Sequence, residues 1–97
     1  MAQVIYRDGA RADLDRLAEF LLKGDPVGAM ATYELLTDAI RVLEDHPLIG
    51  RPVEGGAREL VISRGKSGYL ALYDYRERDD QVIVLAIRHQ REAGYKP

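Results

Sequence analysis

The feature that most constrains the fold of this chain is a pair of amphipathic helix patterns separated by almost no linker. In the first pattern, apolar residues recur at helical spacing along one stripe: Leu14, Leu17, Ala18, Leu21 and Leu22. In the second, the stripe runs through Ala29, Tyr33, Leu36, Ile40 and Leu43. Two helices joined so closely form an antiparallel hairpin, and their shared apolar face requires a cover from the rest of the chain.

Local signals mark the ends of both helices. Asp8 is predicted to be the N-cap of the first helix. Asp25 and Pro26 predict the N-cap and the first residue of the second helix. The second helix should end before Pro47, because proline disfavours a helical conformation at His46. We interpret His46 as a cap or a partner of the helix dipole.

Strand-like segments supply the cover for the hairpin. The short apolar segment "QVIY" precedes the helices, and three longer runs follow them, at 59–63, 69–75 and 81–87. The intervening residues 46–56 are dense in Gly and Pro and are predicted to form a loop. Short polar connectors predict antiparallel pairing of the last three strands. We therefore predict a single α+β domain over residues 1–97, with an N-terminal strand and a helical hairpin packed on a small, mainly antiparallel sheet.

Composition limits the chemistry open to the chain. It contains no cysteine, which excludes disulfides, thiolate metal sites and a cysteine nucleophile, and which fits a cytoplasmic protein. The histidines, His46 and His89, and the scattered carboxylates form no metal-ligand spacing, so we expect neither a metal nor another cofactor. The apolar runs are too short to cross a bilayer, and the N-terminus lacks the apolar stretch of a signal peptide, so no membrane partner is expected.

Charge is distributed unevenly along the chain. The net charge of −2 argues against strong nonspecific binding to nucleic acid. Residues 1–57 carry 6 Lys and Arg against 10 Asp and Glu, a net −4, whereas residues 58–97 carry 8 against 6, a net +2. An anionic partner is therefore expected at the C-terminal part. The alternative is that the uneven charge reflects only the ordinary scatter of charged residues over a protein surface.

The middle strand run, "YLALYDY", has two apolar sides. Alternation puts Tyr69, Ala71, Tyr73 and Tyr75 on one side and Leu70, Leu72 and Asp74 on the other. One side packs on the helices, and we expect the tyrosine side to be solvated or to cover a partner. Tyr69 and Tyr73 would then be binding residues. Aromatic residues on strands are also common packing residues, and that alternative stays open.

Basic and polar residues gather where the last apolar strand ends in "RHQRE". The set comprises Arg58, Arg64, Lys66, Arg88, His89, Arg91 and Tyr95. Antiparallel pairing should bring several of them to one edge of the sheet. Cleaving RNA through its own 2′-hydroxyl requires a base, an acid and cations around the phosphate, and these side-chain types supply all three. The alternative is a solvated strand end with weak surface ion pairs to neighbouring carboxylates.

Four segments together resemble the RelE/ParE superfamily of toxins from bacterial type II toxin–antitoxin operons. They are "ARADLDRLAEFLL", "LEDHPLIGRPV", "RELVIS…GYLALYDY" and "VLAIRHQREAGY", in the family's order and over nearly the whole chain. The strand followed by "RHQRE" is the most telling of them. The resemblance implies the strand–helix–helix–three-strand fold derived above. It also implies a cytoplasmic toxin that is neutralised by a cognate antitoxin, with which it can form a hetero-oligomer.

The superfamily has two activities, and the resemblance implies one of them. The RelE branch cuts messenger RNA in the ribosomal A site, whereas the ParE branch poisons DNA gyrase. In the nuclease branch, strand Lys and Arg residues and a C-terminal Arg, His or Tyr carry the chemistry. The matching positions in this sequence are Arg64, Lys66, His89, Arg91 and Tyr95.

Three features favour the ParE branch. The chain is acidic overall, whereas docking on ribosomal RNA gains from a dense cationic surface. Arg58, Arg64 and Lys66 do not form a dense lysine row, and "HQRE" resembles the ParE side. We therefore predict a gyrase inhibitor that performs no chemistry. Its predicted target- or antitoxin-binding residues are Arg58, Arg64, Tyr69, Tyr73, Arg88, His89 and Arg91. The alternatives are a metal-independent, ribosome-dependent mRNA endoribonuclease and a degenerate antitoxin-binding module without toxicity.

Overall fold

The computed structural model describes residues 1–64 and 67–96. In chain order the elements are β1 (Gln3–Tyr6), α1 (Asp8–Leu22), α2 (Pro26–Arg41), β2 (Arg51–Pro52), β3 (Arg58–Arg64), β4 (Ser67–Arg76) and β5 (Gln81–His89). Short 3-10 turns at Val42–Glu44 and Glu77–Asp79 follow α2 and join β4 to β5. This order of elements confirms the predicted α+β fold.

The two helices begin for different local reasons. The N-cap of α1 is Arg7, in an extended conformation (φ −67°, ψ 155°), and Asp8 is already helical, where its charge favours the positive end of the helix dipole. The prediction of Asp8 as the N-cap was therefore wrong by one residue. Asp25 caps α2 as predicted, since its Oδ1 accepts the Gly28 N–H at 3.0 Å and Pro26 opens the first turn. Within the described ranges, neither helix is long and apolar enough to cross a membrane.

β5 is an interior strand of the sheet, between β1 and β4, in the strand order β1-β5-β4-β3-β2. β1 runs parallel to β5, and the other neighbouring strands are antiparallel. α1 packs across β5 and α2 reaches β3. The core between the layers contains Leu14 and Leu17 from α1, Leu36 and Ile40 from α2, and Val82, Val84 and Ile87 from β5. β5 is thus flanked by strands on both sides and packs against α1.

β2 is an edge strand in a segment for which we predicted only a loop. Arg51 pairs with Glu59 and Pro52 pairs with Arg58, so two residues suffice for the ladder. Gly55 and Gly56, with φ of 92° and 91°, then turn the chain back toward β3. Pro52 is tolerated because an edge strand needs no donor on its outer side.

The tyrosine side of β4 faces the helices, which corrects the expectation that it stands open to a partner. Tyr69 is 4% exposed and Tyr73 is fully buried. The side that carries Leu70 and Leu72 faces away from the helices and is here called the open face, although Leu70 itself is only 9% exposed. A bulge shifts the register between β4 and β5, since Leu72 pairs with Ala86 and Tyr73 with Val84, which leaves Leu85 as the extra residue.

Candidate functional site

The C-terminal ends of β3 and β5 and the N-terminal end of β4 lie at the same end of the sheet. Tyr69 on β4 pairs with His89 on β5, and Arg64 on β3 pairs with Ser67 on β4. The backbones of Arg64 and His89 therefore lie at the same end of the sheet, as the strand pattern predicts. The side chain of Arg64 and the whole of Lys66 lie outside the described residues, so their part in a site remains a prediction.

A tight turn of residues 89–92, here called the C-terminal turn, follows β5. The Glu92 N–H donates to the His89 carbonyl at 3.0 Å, and Glu92 Oε1 accepts the His89 N–H at 2.8 Å. The Gln90 N–H donates to the Gly68 carbonyl at 2.9 Å, which attaches the turn to the start of β4. A carboxylate that accepts a backbone N–H makes a charge-assisted hydrogen bond, so the turn is held in one geometry.

Two charged residues of α1 connect the helix to this turn. Asp13 is only 4% exposed, and its Oδ2 accepts the Ile87 N–H at 2.8 Å. Arg16 Nη2 donates to Asp13 Oδ1 at 3.3 Å, and Arg16 Nη1 donates to Glu92 Oε2 at 2.6 Å. The sequence reasoning missed both residues. The available signal was a carboxylate at a position of the apolar stripe, four residues before Leu17.

A cleft of about 590 Å³ lies between α1 and the C-terminal turn. Its lining combines apolar and aromatic residues with charged and polar ones: Leu17, Phe20, Leu21 and Tyr69, and Arg16, His89, Arg91, Glu92 and Lys96. Phe20 is 75% exposed, which is unusual for so large an apolar side chain. The cleft can therefore contact apolar and anionic groups of a partner at the same time.

The His89 ring has a defined orientation beside this cleft. It meets the Tyr69 ring edge to face, with centroids 5.0 Å apart. Its Nδ1 accepts the Arg91 backbone N–H at 3.1 Å. Neutral His89 therefore carries its proton on Nε2, which makes that nitrogen a hydrogen-bond donor. His89 and Arg91 are thus brought together, as predicted.

Tyr95 lies on the other side of the sheet. Its hydroxyl donates to Glu59 Oε2 at 2.6 Å, and Arg51 forms an ion pair with the same carboxylate. The Arg88 guanidinium stacks over the Tyr95 ring at 5.1 Å from its centroid, and Arg88 Nη1 donates to the Glu92 carbonyl at 2.8 Å. The structure thus pairs Tyr95 with Arg88 and does not bring Tyr95 to His89.

In this second cluster, Glu59 is ionised and Tyr95 is protonated at neutral pH. Burial by itself raises the pKa of Glu59, but the hydrogen bonds from Tyr95 and Arg51, with the nearby charges of Arg51 and Arg88, outweigh it and leave the pKa lowered. Burial and the Glu59 carboxylate raise the pKa of Tyr95 well above its usual range. Tyr95 therefore remains protonated and serves as a donor.

Arg58 and Tyr73 hold a loop instead of facing solvent. Arg58 Nη1 donates to the carbonyls of Leu48 at 3.1 Å and Gly50 at 2.8 Å. The Tyr73 hydroxyl donates to the Pro47 carbonyl at 2.8 Å and accepts the Gly50 N–H at 2.8 Å. Tyr73 has no open surface to offer, which corrects its assignment as a binding residue. Across residues 1–64 and 67–96, no three His, Asp or Glu side chains gather closely enough to hold a metal ion.

The fold is that of the small toxins of bacterial toxin–antitoxin systems. The chain is similar to the structure described as the chromosomal ParDE TA system from P. aeruginosa, with a TM-score of 0.76 and 22% identity over 92% of this chain and 96% of that chain. It is also similar to the RelBE2 toxin–antitoxin complex from Mycobacterium tuberculosis, with a TM-score of 0.61 and 26% identity over 92% and 98% of the two chains.

Comparisons of the sequence identify one family within this class of toxins. The model of the family described as "ParE toxin of type II toxin-antitoxin system, parDE" matches residues 4–94. Toxin RelE3 of Caulobacter vibrioides is 35% identical over 83 residues, which cover 86% of this chain and 88% of that protein. The chain belongs to the ParE toxin family of type II toxin–antitoxin systems.

Proposed function

We propose that this toxin acts by binding DNA gyrase and inhibiting it, without breaking any bond itself. The observation that carries the proposal is the separation of His89 from Tyr95. His89 contacts Tyr69 on the helix side of the sheet, whereas Tyr95 is hydrogen-bonded to Glu59 on the open face. An acid and a base must both reach the same phosphate to cleave RNA, and these two side chains do not share a face.

The hydrogen bonds and contacts of Tyr95 and Arg88 on the open face also argue against a catalytic role for these two residues. Tyr95 cannot act as a base near neutral pH, because its pKa is raised by burial and by Glu59. Arg88 already contacts the Tyr95 ring and the Glu92 carbonyl. A phosphate would have to displace these partners before Arg88 could neutralise its developing charge.

The surface around this cluster supports a protein target. Val61 is 56% exposed on the open face, whereas its cross-strand partner Leu70 is only 9% exposed. Arg51 and Arg88 on this face already contact Glu59 and Tyr95. A ribosome-bound nuclease would need rows of cations, and the net charge of the chain is −2. A protein partner can accommodate an apolar patch with mixed charges around it.

We further propose that a cognate antitoxin neutralises the toxin in a cytoplasmic hetero-oligomer. The matching family is that of the parDE system, and the M. tuberculosis relative was solved as a toxin–antitoxin complex. Residues 58–97 carry a net charge of +2, with Arg91 and Lys96 exposed. An antitoxin segment with acidic residues is the complementary partner for this part of the chain.

A ribosome-dependent endoribonuclease is the second candidate. The orientation of His89 favours it, because the Nε2 donor lies beside the same cleft as Arg91. In that role His89 would be the acid or base, and Arg64, Lys66 and Arg91 would hold the phosphate. Tyr95 would take part only after leaving Glu59. A module that binds an antitoxin without toxicity is the remaining alternative.

Two assays on the same purified protein separate these functions. The first measures supercoiling by DNA gyrase, and the second measures mRNA cleavage on programmed ribosomes. Inhibition of gyrase without mRNA cleavage is the expected result. Cleavage without gyrase inhibition would overturn the proposal, and His89→Ala or Arg91→Ala should then abolish cleavage while leaving the fold intact. Expression without antitoxin that causes no growth defect would identify the non-toxic module.

A further inference from the structure

The C-terminal turn depends on a residue that belongs to α1. Glu92 uses both carboxylate oxygens, one for the His89 N–H at 2.8 Å and the other for Arg16 Nη1 at 2.6 Å. Arg16 is separated from Glu92 by 76 positions in the chain. The geometry of the turn therefore depends on where α1 holds its arginine.

Arg16 is itself held in position from the core side. Its Nη2 donates to Asp13 Oδ1 at 3.3 Å and to the Ile87 carbonyl at 3.4 Å. Asp13 in turn accepts the Ile87 N–H. The Arg16 guanidinium thus connects α1, β5 and the C-terminal turn. Because its side chain is 34% exposed and that of Glu92 is 21% exposed, solvent screens this pair less than a typical surface ion pair.

The turn carries His89 and Arg91, two of the side chains that line the cleft. The Arg91 N–H bonds to His89 Nδ1, so moving the His89 backbone would move both groups. We propose that Arg16 and Glu92 are a positioning pair that fixes His89 and Arg91 for contact with an acidic segment of the target protein. This inference rests on the proposed function only for the identity of that target.

The test is a double-mutant cycle with Arg16→Gln, Glu92→Gln and the double variant. Glutamine is isosteric with Glu92 and is a shorter, uncharged hydrogen-bonding replacement for Arg16, so each single variant removes one charge of the pair. Asp38 and Arg41 on α2 form a matched control, since their ion pair at 3.5 Å is 68% and 69% exposed and lies away from the cleft. Arg41→Gln and Asp38→Asn remove that pair. Arg16→Lys is the conservative variant. Because it keeps the positive charge, it should retain part of the wild-type protection of the turn and part of the wild-type activity.

Three readouts are needed: hydrogen exchange at the His89 and Arg91 amides, inhibition of gyrase, and the growth defect on expression. Arg16→Gln should accelerate exchange at both amides by about tenfold, while core amides of β5 keep wild-type rates. Gyrase inhibition should fall by a similar factor. The double variant should lose little more than either single variant, because the pair acts as one unit. The control variants should change neither quantity by more than about twofold.

Faster exchange with full activity, or lost activity with unchanged exchange at the turn, would overturn the positioning role. If the wild type slows growth without inhibiting gyrase, the gyrase proposal is wrong. The role of Arg16 and Glu92 is then tested by comparing the growth defects of the variants with that of the wild type. A wild type with neither activity would overturn both proposals.

Discussion

The Tyr95 hydroxyl donates to Glu59 on the face of the sheet opposite the one where His89 contacts Tyr69. His89 and Tyr95 are close in the sequence, but their side chains lie on opposite faces of the sheet. Tyr95 packs with Arg88 and serves the stability of the C-terminal segment, whereas His89 borders the cleft. This division makes the two roles separable by substitution.

Tyr95→Phe should destabilise the protein by about 1 kcal/mol, because it removes a hydrogen bond to a carboxylate at a partly exposed site. Urea denaturation measures the loss. The ring and its contact with Arg88 remain, so gyrase inhibition should be nearly unchanged. Tyr75→Phe is the matched control, since the exposed Tyr75 hydroxyl also donates to a carboxylate, Asp80 at 2.7 Å, and should leave stability unaltered. A loss of activity without a loss of stability in Tyr95→Phe would contradict this division of roles.

Glu59 should make stability depend on pH on the acid side. Its pKa is lowered in the folded protein, so its contribution is present above the ordinary glutamate pKa of about 4.3 and is lost as pH falls through the folded value. Unfolding free energies measured between about pH 6 and pH 3 should therefore fall less steeply for Glu59→Gln than for the wild type. Parallel pH profiles for the two proteins would argue against a lowered pKa.

Asp13→Ala should cost about 2 kcal/mol, since it leaves the buried Ile87 N–H without its acceptor and removes one partner of Arg16. Chemical denaturation gives the value. Asp15→Ala on the exposed side of the same helix is the control and should change stability by less than about 0.5 kcal/mol. Equal losses in the two variants would show that the Asp13 contacts contribute little.

Gly50→Ala should destabilise the loop that Arg58 and Tyr73 hold. An added Cβ at Gly50 would lie 2.6 Å from both the Tyr73 hydroxyl and Cε1, so the buried ring would have to move. Overpacking of this kind costs about 1–3 kcal/mol. Gly24→Ala is the control, because an added Cβ there meets no atom within 4 Å. Thermal melts of both variants make the comparison, and a neutral Gly50→Ala would mean that the loop adjusts freely.

Arg91→Glu should slow association with the antitoxin and reduce its dependence on salt, because it reverses an exposed charge beside the cleft. The same is predicted for Arg64→Glu. Stopped-flow association rates over a range of ionic strengths provide the measurement. Arg76→Glu, at the far end of β4, changes the net charge equally and is the control. An on-rate for Arg91→Glu that matches this control would remove the case for local steering.

The sequence was informative wherever the cause of structure is local. The stripe that includes Leu14 and Leu17 forms the buried side of α1, and Asp25 caps α2, because both depend on neighbours within a few positions. Pairing of the last three strands followed from their short connectors. Two residues of β2 are too few to give a pattern, and this strand was missed.

The site was less predictable, because it depends on contacts between distant residues. Both sides of β4 are apolar, so alternation could not tell which of them the helices cover, and Tyr73 was assigned to the wrong side. Asp13 binds a backbone group 74 positions away, and a lone carboxylate gives no indication of that distance. His89 and Arg91 were found because they lie only two positions apart along the chain, whereas Tyr95 contacts Glu59 on the opposite face of the sheet.

The parallel pairing of β1 with β5 has a consequence for how the protein is made. The ribosome synthesises β1 early, and its neighbour in the sheet comes only after both helices and three further strands. A nascent chain that stops at Asp80 lacks the strand around which the layers assemble. Closing so long a loop is slow, and the unfinished chain exposes apolar surface to chaperones and proteases. Interrupted translation therefore yields fragments that lack β5 and the C-terminal turn.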